Sequence, residues 1–278
     1  RRRRLRVDGD GVIEVAFLGS GSTGNCAVIR AGRTAVLLDA GLSPRQIGMR
    51  LGKLGMTLDD VSALLLTHEH SDHVCSAAVL ATKRGLPVYA TQGTLAKAGL
   101  PGPLFADLRT VADGAELCFG GGDLTVRVTR TPHDGVDPVC YVFADGAGRR
   151  VGIATDLGHL SRQVLAALEG CEVLGLEANH DVDVLREGAY PAFLKKRILS
   201  DVGHLSNDAA AAGLARLLGE RTRIVVGLHL SKNNNTPTLA ERALRQGVER
   251  LGAKVVLEVA GPDAPTGWYR ARPAGGIG

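Results

Sequence analysis

Side chains that could bind a metal ion crowd into the stretch LLLTHEHSDHVCS, residues 64–76, directly behind a short apolar run. His68, His70 and His73 are three of the chain's eight histidines, and Asp72 lies among them. Neutral imidazoles and carboxylates are the ligands that divalent zinc, manganese and iron accept. A lone histidine is usually an ordinary polar side chain, but the pattern HxHxDH after a buried strand favours a metal site.

The spacing of these four residues favours two metal ions over one. In an extended loop alternate side chains share a face, so His68, His70 and Asp72 would point together. His73 would follow at the start of the next helix. Four ligands so close would crowd one open catalytic site, whereas two ions can share them. His68 and His70 would then serve one ion, and Asp72 and His73 the other.

Strands and helices predicted on both sides of the motif must position it. Apolar segments between turn residues predict strands, and patterns that begin at a capping residue predict helices. Two helices start with a cap followed by proline, at Ser43 and Thr236. The order predicts an α+β fold with sheets packed together and helices outside. Predicted strands are 12–18, 35–39, 61–66, 124–129, 139–144, 150–155, 171–177, 223–230 and 254–260; predicted helices are 43–55, 74–85, 160–170, 206–219 and 236–252.

The length and the charge of the chain limit how it can be organised into domains. Its 278 residues contain no linker rich enough to divide them, so we expect one domain over 11–264. Residues 1–10 form a basic arm, expected to be disordered, and 265–278 a tail. Five of the first six residues are arginine, and subtracting five from the net charge of +4 leaves −1 for the rest. Nucleic acid would therefore have to bind a local patch.

Hydropathy and cysteine usage bear on the compartment. The sequence has no apolar stretch of the about 18 residues that a membrane span needs, and its charged start is not followed by the apolar segment of a secretory signal. The five cysteines are an odd number without a CxxC pair, which is typical of reduced core thiols. We expect a cytoplasmic protein that does not associate with membranes, and the sequence leaves its oligomeric state open.

The motif THEHSDH resembles the signature of the metallo-β-lactamase superfamily of dinuclear hydrolases. The resemblance implies an αβ/βα four-layer sandwich with two divalent ions, zinc or manganese, at the edge between two sheets. His133 in TPHD resembles the third histidine of the first metal, and Asp156 in ATDLG resembles the bridging carboxylate. His229 in VVGLHLS resembles the last histidine of the second metal. The implied ligand set is His68, His70, Asp72, His73, His133, Asp156 and His229.

Several further blocks are similar to the YycJ (VicX, WalJ) group within that superfamily. They include GSGSTGNC, LLDAGLS, LEANHD, YPAFLKKRILSDVGHLSN and LHLSKNNNTP, and the similarity covers most of residues 14–262. It implies a phosphodiesterase that degrades DNA as a 5′-to-3′ exonuclease, with a link to mismatch repair. Two divalent ions against the carboxylates of Asp72 and Asp156 would leave an excess of positive charge, which suits an anionic phosphodiester.

Candidates for catalysis and for substrate contact follow from these blocks. Asp72 is a candidate catalytic residue because it would bind a catalytic metal ion. His204 in GHLSN resembles a histidine that binds the scissile phosphate or donates a proton in transfer-RNA 3′-processing nucleases; its alternative role is helix entry before Ser206. Candidate substrate contacts lie in loops beside the motifs or in a basic run, and each also fits a solvated polar surface. They are Ser22, Asn25, His180, Lys195, Arg197, Lys232 and Asn233.

Two other classes of function stay open. One is a different hydrolase on the same scaffold, such as an RNA-processing nuclease or a small cyclic phosphodiesterase. The region between Asp156 and His204 lacks the long Gly/Pro-rich basic arm typical of transfer-RNA-processing relatives. The other class is a non-enzymatic metal-binding regulator, which a ligand set with open positions disfavours.

Overall fold

The structure is a computed structural model that describes residues 11–100, 102 and 106–271. Two seven-stranded sheets enclose a common core, and helices cover their outer sides. The predicted α+β fold and its αβ/βα four-layer order are confirmed. The predicted arm 1–10 and the tail residues 272–278 lie outside the described residues.

The first sheet comes from the N-terminal part of the chain and one late strand. Its strands are β1 (Glu14–Gly19), β2 (Cys26–Ala31), β3 (Thr34–Leu38), β4 (Ala63–Leu65), β5 (Val88–Thr91), β6 (Leu108–Val111) and β14 (Tyr269–Arg270). They are ordered β14-β1-β2-β3-β4-β5-β6. Pairing is antiparallel from β14 to β3 and parallel from β3 to β6.

The second sheet repeats this division between antiparallel and parallel pairing. Its strands are β7 (Glu116–Phe119), β8 (Leu124–Arg130), β9 (Val139–Asp145), β10 (Arg150–Ala154), β11 (Val173–Glu177), β12 (Ile224–Leu228) and β13 (Val256–Val259). They are ordered β13-β12-β11-β10-β9-β8-β7. Pairing is antiparallel from β7 to β10 and parallel from β10 to β13.

The helices with predicted capping residues begin at those residues, but the helix predicted over 74–85 begins only at Ala77. Ser43 forms a capping box with Gln46, and the Thr236 side chain accepts a hydrogen bond from the Leu239 amide. The helices are α1 (Pro44–Lys53), α2 (Ser71–Val74), α3 (Ala77–Arg84), α4 (Gln92–Lys97), α5 (Arg162–Leu168), α6 (Val182–Glu187), α7 (Ala192–Ile198), α8 (Asn207–Leu217) and α9 (Pro237–Arg250), with a 3-10 turn at Leu58–Asp60. In the part of the chain that the structure describes, no helix is long and apolar enough to cross a membrane.

Three buried apolar layers hold the four structural layers together. Phe17 and Phe143 lie in the layer between the sheets. Ile47 of α1 belongs to the layer on the outer side of the first sheet, and Leu214 of α8 to the layer on the second. Burying a side chain of this size contributes about 1.5–3 kcal/mol. The layers therefore fix the strand ends, from which the functional loops leave.

Two expectations about the chain are wrong in detail. The folded part continues past 264, because Tyr269 pairs with Val15 and the Trp268 ring lies 3.9 Å from the Arg30 guanidinium. The cysteines are not all core thiols, because Cys75 and Cys118 are exposed. Cys118 lies on edge strand β7, where alternate side chains face solvent.

Candidate metal centre

The predicted ligands lie on loops that leave the carboxyl ends of strands at one edge of the sheets. The THEHSDH loop follows β4, and TPHD follows β8. Asp156 and His229 follow β10 and β12, which belong to the parallel part of the second sheet. Parallel strands deliver their carboxyl ends to the same edge, so residues far apart in sequence meet here.

Three strand-end residues adopt the left-handed backbone conformation. Among the described residues, Asp39, Asp156 and His229 are the non-glycine residues with positive φ, at 59°, 58° and 55°. This conformation costs about 1–3 kcal/mol where the side chain is not glycine, and it persists where a site requires it. The strain is concentrated at the edge where the histidines meet.

The seven predicted ligands come together as two groups on either side of Asp156. His68, His70 and His133 form one group of potential ligand atoms within 4.8 Å of one another, and Asp72, His73 and His229 form another. The Asp156 carboxylate approaches both groups. Its Oδ1 lies 3.7 Å from His133 Nε2, and its Oδ2 lies 3.2 Å from His73 Nε2.

The local conformation of the motif differs from the expected extended loop. His70 is the N-cap of α2, so Asp72 lies in the first turn of that helix and does not continue the loop. The turn brings Asp72 Oδ2 within 3.6 Å of His73 Nε2 and 3.3 Å of His229 Nε2. Asp72 therefore faces the second group, and the expectation that it points together with His68 and His70 is wrong.

Hydrogen bonds fix how the rings of the first group are turned. His68 Nδ1 lies 2.9 Å from Thr67 Oγ1, and His133 Nδ1 lies 3.0 Å from the Gly203 carbonyl oxygen. With Nδ1 engaged in each ring, Nε2 is the nitrogen left to face the centre. His70 is turned the other way, because its Nδ1 lies 3.3 Å from His133 Nε2.

Buried carboxylates turn the histidines of the second group in the same manner. His73 Nδ1 lies 2.8 Å from Asp39 Oδ2, and His229 Nδ1 lies 3.0 Å from Glu177 Oε1. Carboxylate partners of this kind orient metal-ligating imidazoles and raise their basicity. Neither Asp39 nor Glu177 is among the residues predicted from the sequence.

Two buried polar atoms lie without a hydrogen bond where the ligand groups meet. His68 Nε2 and Asp156 Oδ2 have no hydrogen-bond partner among the described residues. Asp156 Oδ2 has His73 Nε2 at 3.2 Å, but without hydrogen-bonding geometry. Leaving such atoms unsatisfied costs about 1–3 kcal/mol each. A cation between the groups would satisfy both, so the residues present fit divalent metal ions.

Burial and nearby carboxylates act in opposite directions on the histidine pKa values. Burial lowers the pKa of His68 well below its ordinary value. Burial also acts to lower the pKa of His73, but the carboxylates of Asp156 and Asp39 outweigh it and raise that pKa well above its usual range. Burial acts to lower the pKa of His229 as well, but nearby carboxylates, Asp156 first among them, outweigh it and raise that pKa to about 10.

We expect metal binding at neutral pH to release about two protons, one from His73 and one from His229, because a ligating imidazole must be neutral. Both pKa values are raised, so affinity should increase as the pH rises toward the His229 pKa of about 10 and decrease toward acid. Calorimetric titration of Zn²⁺ into metal-free protein, in two buffers with different protonation enthalpies, measures the release. Binding heats that do not depend on the buffer would contradict the expectation.

His204 lies at the margin of the second group and shares a carboxylate with His229. Its Nδ1 lies 2.8 Å from Glu177 Oε1, while Glu177 Oε2 accepts hydrogen bonds from the amides of Leu157 and Leu205. Burial opposes ionisation of Glu177, but His204 outweighs it and lowers the carboxyl pKa to about 2. The pKa of His204 is raised because Glu177 outweighs the effect of burial. Glu177 therefore favours the protonated form of the His204 imidazole.

Two predicted substrate contacts are buried. Asn25 donates from Nδ2 to the Asp72 carbonyl oxygen at 3.4 Å, and its Oδ1 accepts from the Gly21 amide at 2.9 Å. It therefore positions the Asp72 loop, and the predicted substrate contact is corrected to this role. The His180 ring is 1% exposed and leaves no surface for a substrate, so the structure gives that prediction no support. Burial lowers the pKa of His180 to about 4.

The other predicted contacts lie on the surface. Ser22, Lys232 and Asn233 are exposed, and Asn233 Nδ2 donates to the Tyr190 hydroxyl at 3.0 Å. Lys195 Nζ donates to the Arg186 carbonyl oxygen at 2.6 Å, which ties α7 to α6.

Arg197 is exposed and its Nε lies 2.5 Å from Asp134 Oδ2. Asp134 Oδ1 is in turn 3.3 Å from His133 Nε2. Arg197 therefore lies next to the metal centre, as its prediction requires.

Replacing Asp39 with asparagine is expected to weaken metal binding about 10- to 100-fold, the usual loss for a partner that orients a ligand. Asparagine keeps the size and tolerates the left-handed backbone, so the change acts mainly on the bond to His73. Asp123→Asn is the matched control, because Asp123 also accepts from a backbone amide and a threonine hydroxyl, those of Arg33 and Thr34. Equal metal affinity in the two variants would contradict the role of Asp39.

Comparison with known proteins finds relatives over most of the chain. The sequence model of the beta-lactamase superfamily domain matches residues 34–229. The exodeoxyribonuclease YycJ of Bacillus anthracis is 36% identical over 241 residues, 86% of this chain and 90% of that protein. The exodeoxyribonuclease WalJ of Streptococcus pneumoniae serotype 2 (strain D39 / NCTC 7466) is 36% identical over 233 residues, 82% of this chain and 86% of that protein. The solved structure of the metallo-beta-lactamase fold protein YhfI from Bacillus subtilis has a TM-score of 0.68 and 15% identity, and the match covers 93% of this chain and 99% of that chain.

Proposed function

The chain belongs to the beta-lactamase superfamily, and on that premise we propose that it hydrolyses phosphodiester bonds of DNA as a metal-dependent 5′-to-3′ exodeoxyribonuclease. The observation that carries the proposal is the pair of ligand groups around Asp156, with His204 at their margin. The two relatives named as exodeoxyribonucleases support DNA as the substrate. A DNA substrate accords with a cytoplasmic enzyme.

We propose that the centre holds two divalent ions, zinc or manganese. His68, His70 and His133 would hold one, Asp72, His73 and His229 the other, and Asp156 would bridge them. When bound, such ions activate a water molecule and neutralise charge on the attacked phosphate.

His204 would protonate the leaving oxygen of the attacked phosphodiester. Glu177 holds its Nδ1 at 2.8 Å, which leaves Nε2 as the nitrogen able to give a proton. Glu177 raises the pKa of His204, which favours the protonated imidazole. Asp156 Oδ1 lies 3.6 Å from His204 Nδ1, so the His204 ring lies next to the ligand groups.

His204 could also be a metal ligand, because it forms a possible ion-binding group with Asp156, Glu177 and His229. We favour the proton donor. The atoms of that group already pair with one another as imidazole and carboxylate, and Glu177 Oε2 is occupied by two backbone amides.

The charge argument drawn from the sequence needs correction. Asp39 and Glu177 are buried against the second group, so two divalent ions would face four carboxylates when Asp72 and Asp156 are counted. The excess positive charge expected from two carboxylates alone is then cancelled. Attraction for a phosphodiester must come from the proton on His204 and from basic residues at the rim.

Hydrolysis of matched substrates tests the proposed function. Protein loaded with Mn²⁺ is given DNA and RNA oligonucleotides of one sequence and a cyclic mononucleotide, and the rates are compared. Hydrolysis of DNA well above the other two is expected. Faster hydrolysis of RNA or of the cyclic substrate would instead indicate an RNA-processing nuclease or a small cyclic phosphodiesterase that uses the same metal centre.

A further inference from the structure

Helix α7 presents an aromatic side chain to solvent. Phe193 is 76% exposed, more than any other large hydrophobic side chain among the described residues. Exposed apolar surface is unfavourable in water, and an exposed aromatic ring beside basic residues can serve as a stacking platform for a base. Three basic residues follow Phe193 on α7, namely Lys195 and Arg197, considered above for substrate contact, and Lys196 between them.

Contacts place α7 beside the metal centre. Arg197, one helical turn after Phe193, has its Nε 2.5 Å from Asp134, whose other oxygen is 3.3 Å from His133. The last residue of the helix, Ile198, accepts a hydrogen bond from the His204 amide at 3.0 Å. Phe193 therefore lies on the same short helix as Arg197 and Ile198, which connect that helix to His133 and to His204.

Positive charge lies next to the exposed ring. Lys196 and Arg197 are three and four positions after Phe193, so both are its neighbours on the helix surface. Both are exposed. Arg197 is paired with Asp134, whereas Lys196 makes no ion pair in the ranges that the structure covers. An aromatic face with a cation beside it matches the chemistry of a nucleotide, which has a base and a phosphate.

We propose that Phe193 is the surface on which an unpaired base of the DNA stacks as the strand enters the metal centre, with Lys196 contacting a phosphate. This inference rests on the proposed function and specifies its substrate as DNA with single-stranded terminal nucleotides. Stacking on an aromatic ring accepts every base, as an exonuclease without sequence preference requires. In a closed duplex the base faces are already covered by their neighbours.

A second copy of the chain is the other conceivable occupant of this surface. A protein interface centred on Phe193 would also bury Lys196, and an unpaired buried charge is costly. A DNA strand instead provides a phosphate for that ammonium group. The charge beside the ring therefore favours nucleic acid.

Replacing Phe193 tests the inference. Loss of one stacked base should lower kcat/KM on a single-stranded oligonucleotide about 5- to 150-fold in Phe193→Ala. The loss on DNA should exceed any loss on bis(p-nitrophenyl) phosphate, which has no base, by that factor. Phe193→Trp should restore hydrolysis of the oligonucleotide. Met49→Ala is the control, because Met49 is 55% exposed on α1, which contributes no side chain to the centre.

Binding to a labelled single strand at several salt concentrations tests the partner residue. Lys196→Ala should lower the slope of log Kd against log salt by about 0.7, the value for one lost phosphate contact on a single strand.

The outcomes separate this inference from the proposed function. Unchanged oligonucleotide hydrolysis by Phe193→Ala would overturn the stacking role of Phe193 but would not contradict the proposed nuclease activity. Equal losses on the oligonucleotide and on the small diester would also overturn it. A changed elution volume on gel filtration, with DNA hydrolysis intact, would identify a contact between copies instead. Hydrolysis of the small diester but of no DNA by the unaltered protein would overturn the proposed function, and the stacking role with it.

Discussion

Replacing Asp72 with alanine should lower turnover on DNA by at least about 10³-fold. Asp72 is the carboxylate of the second ligand group, with its Oδ2 3.3 Å from His229 Nε2. Stabilisation by a catalytic ion is worth several kcal/mol, and each 1.36 kcal/mol is about tenfold in rate. Metal content should decrease from about two ions per chain to about one. Initial rates with labelled DNA and elemental analysis of the same preparation measure both effects.

Glu69→Gln is the matched control for Asp72→Ala. Glu69 lies in the same motif, and its Oε1 accepts a hydrogen bond from the Val136 amide at 2.8 Å, but it belongs to neither ligand group. Glutamine retains the acceptor, so turnover and metal content should stay near those of the unaltered protein. Full turnover in Asp72→Ala, or equal losses in the two variants, would contradict the assignment of Asp72.

Replacing His204 with alanine should lower turnover on DNA about 10²- to 10⁴-fold while both metal ions are retained. The loss should be much smaller on bis(p-nitrophenyl) phosphate, because a nitrophenolate leaves readily without receiving a proton. The acidic limb of the pH–rate profile should remain, and the basic limb, where His204 loses its proton, should disappear. Rates on both substrates across the pH range, with metal content measured in parallel, check these expectations.

The dependence on leaving group separates proton donation from metal binding by His204. A variant that loses metal and is equally slow on both substrates would show that His204 is a ligand. Glu177→Gln offers a related comparison, since it keeps a hydrogen-bond acceptor for His204 but removes the charge that raises its pKa. The basic limb of the pH–rate profile of Glu177→Gln should therefore move to lower pH.

The candidate ligands carry local signals in the sequence. His68, His70, Asp72 and His73 share one motif, and the family resemblance adds His133, Asp156 and His229 in short blocks after strands. The residues that orient the ligands depend on distant pairing. Asp39 and Thr67 are 28 positions apart, and Glu177 and His229 are 52 apart. LLDAGLS and LEANHD contain Asp39 and Glu177, but composition alone does not show which way a strand-end carboxylate points.

Strands, like site residues, are predicted where the signal is local and missed where it depends on distant contacts. The nine predicted strands all occur, whereas β2, β5, β6, β7 and β14 escape prediction. Strands β6 and β7 are four-residue strands with partly exposed side chains, but β2 and β5 are mostly buried and do not share that reason. Strand β14 is stabilised by pairing with β1, about 250 residues earlier in the chain.

The requirement for glycine at position 41 likewise depends on contacts that the sequence does not reveal. A Cβ there would overlap the Asp72 carbonyl oxygen and lie 2.7 Å from the Asn25 amide nitrogen, a close approach that only the folded structure reveals.

The most direct test of the account follows the digestion of DNA whose 5′ end is a single-stranded, 5′-phosphorylated overhang and which carries a label at one end or the other. The protein is supplied with Mn²⁺, and product size is measured over time for the unaltered chain and for Asp72→Ala. The account predicts mononucleotides released from the 5′ end by the unaltered chain and none by the variant. Intact DNA after incubation with protein shown to hold two metal ions would contradict the assignment of DNA as the substrate.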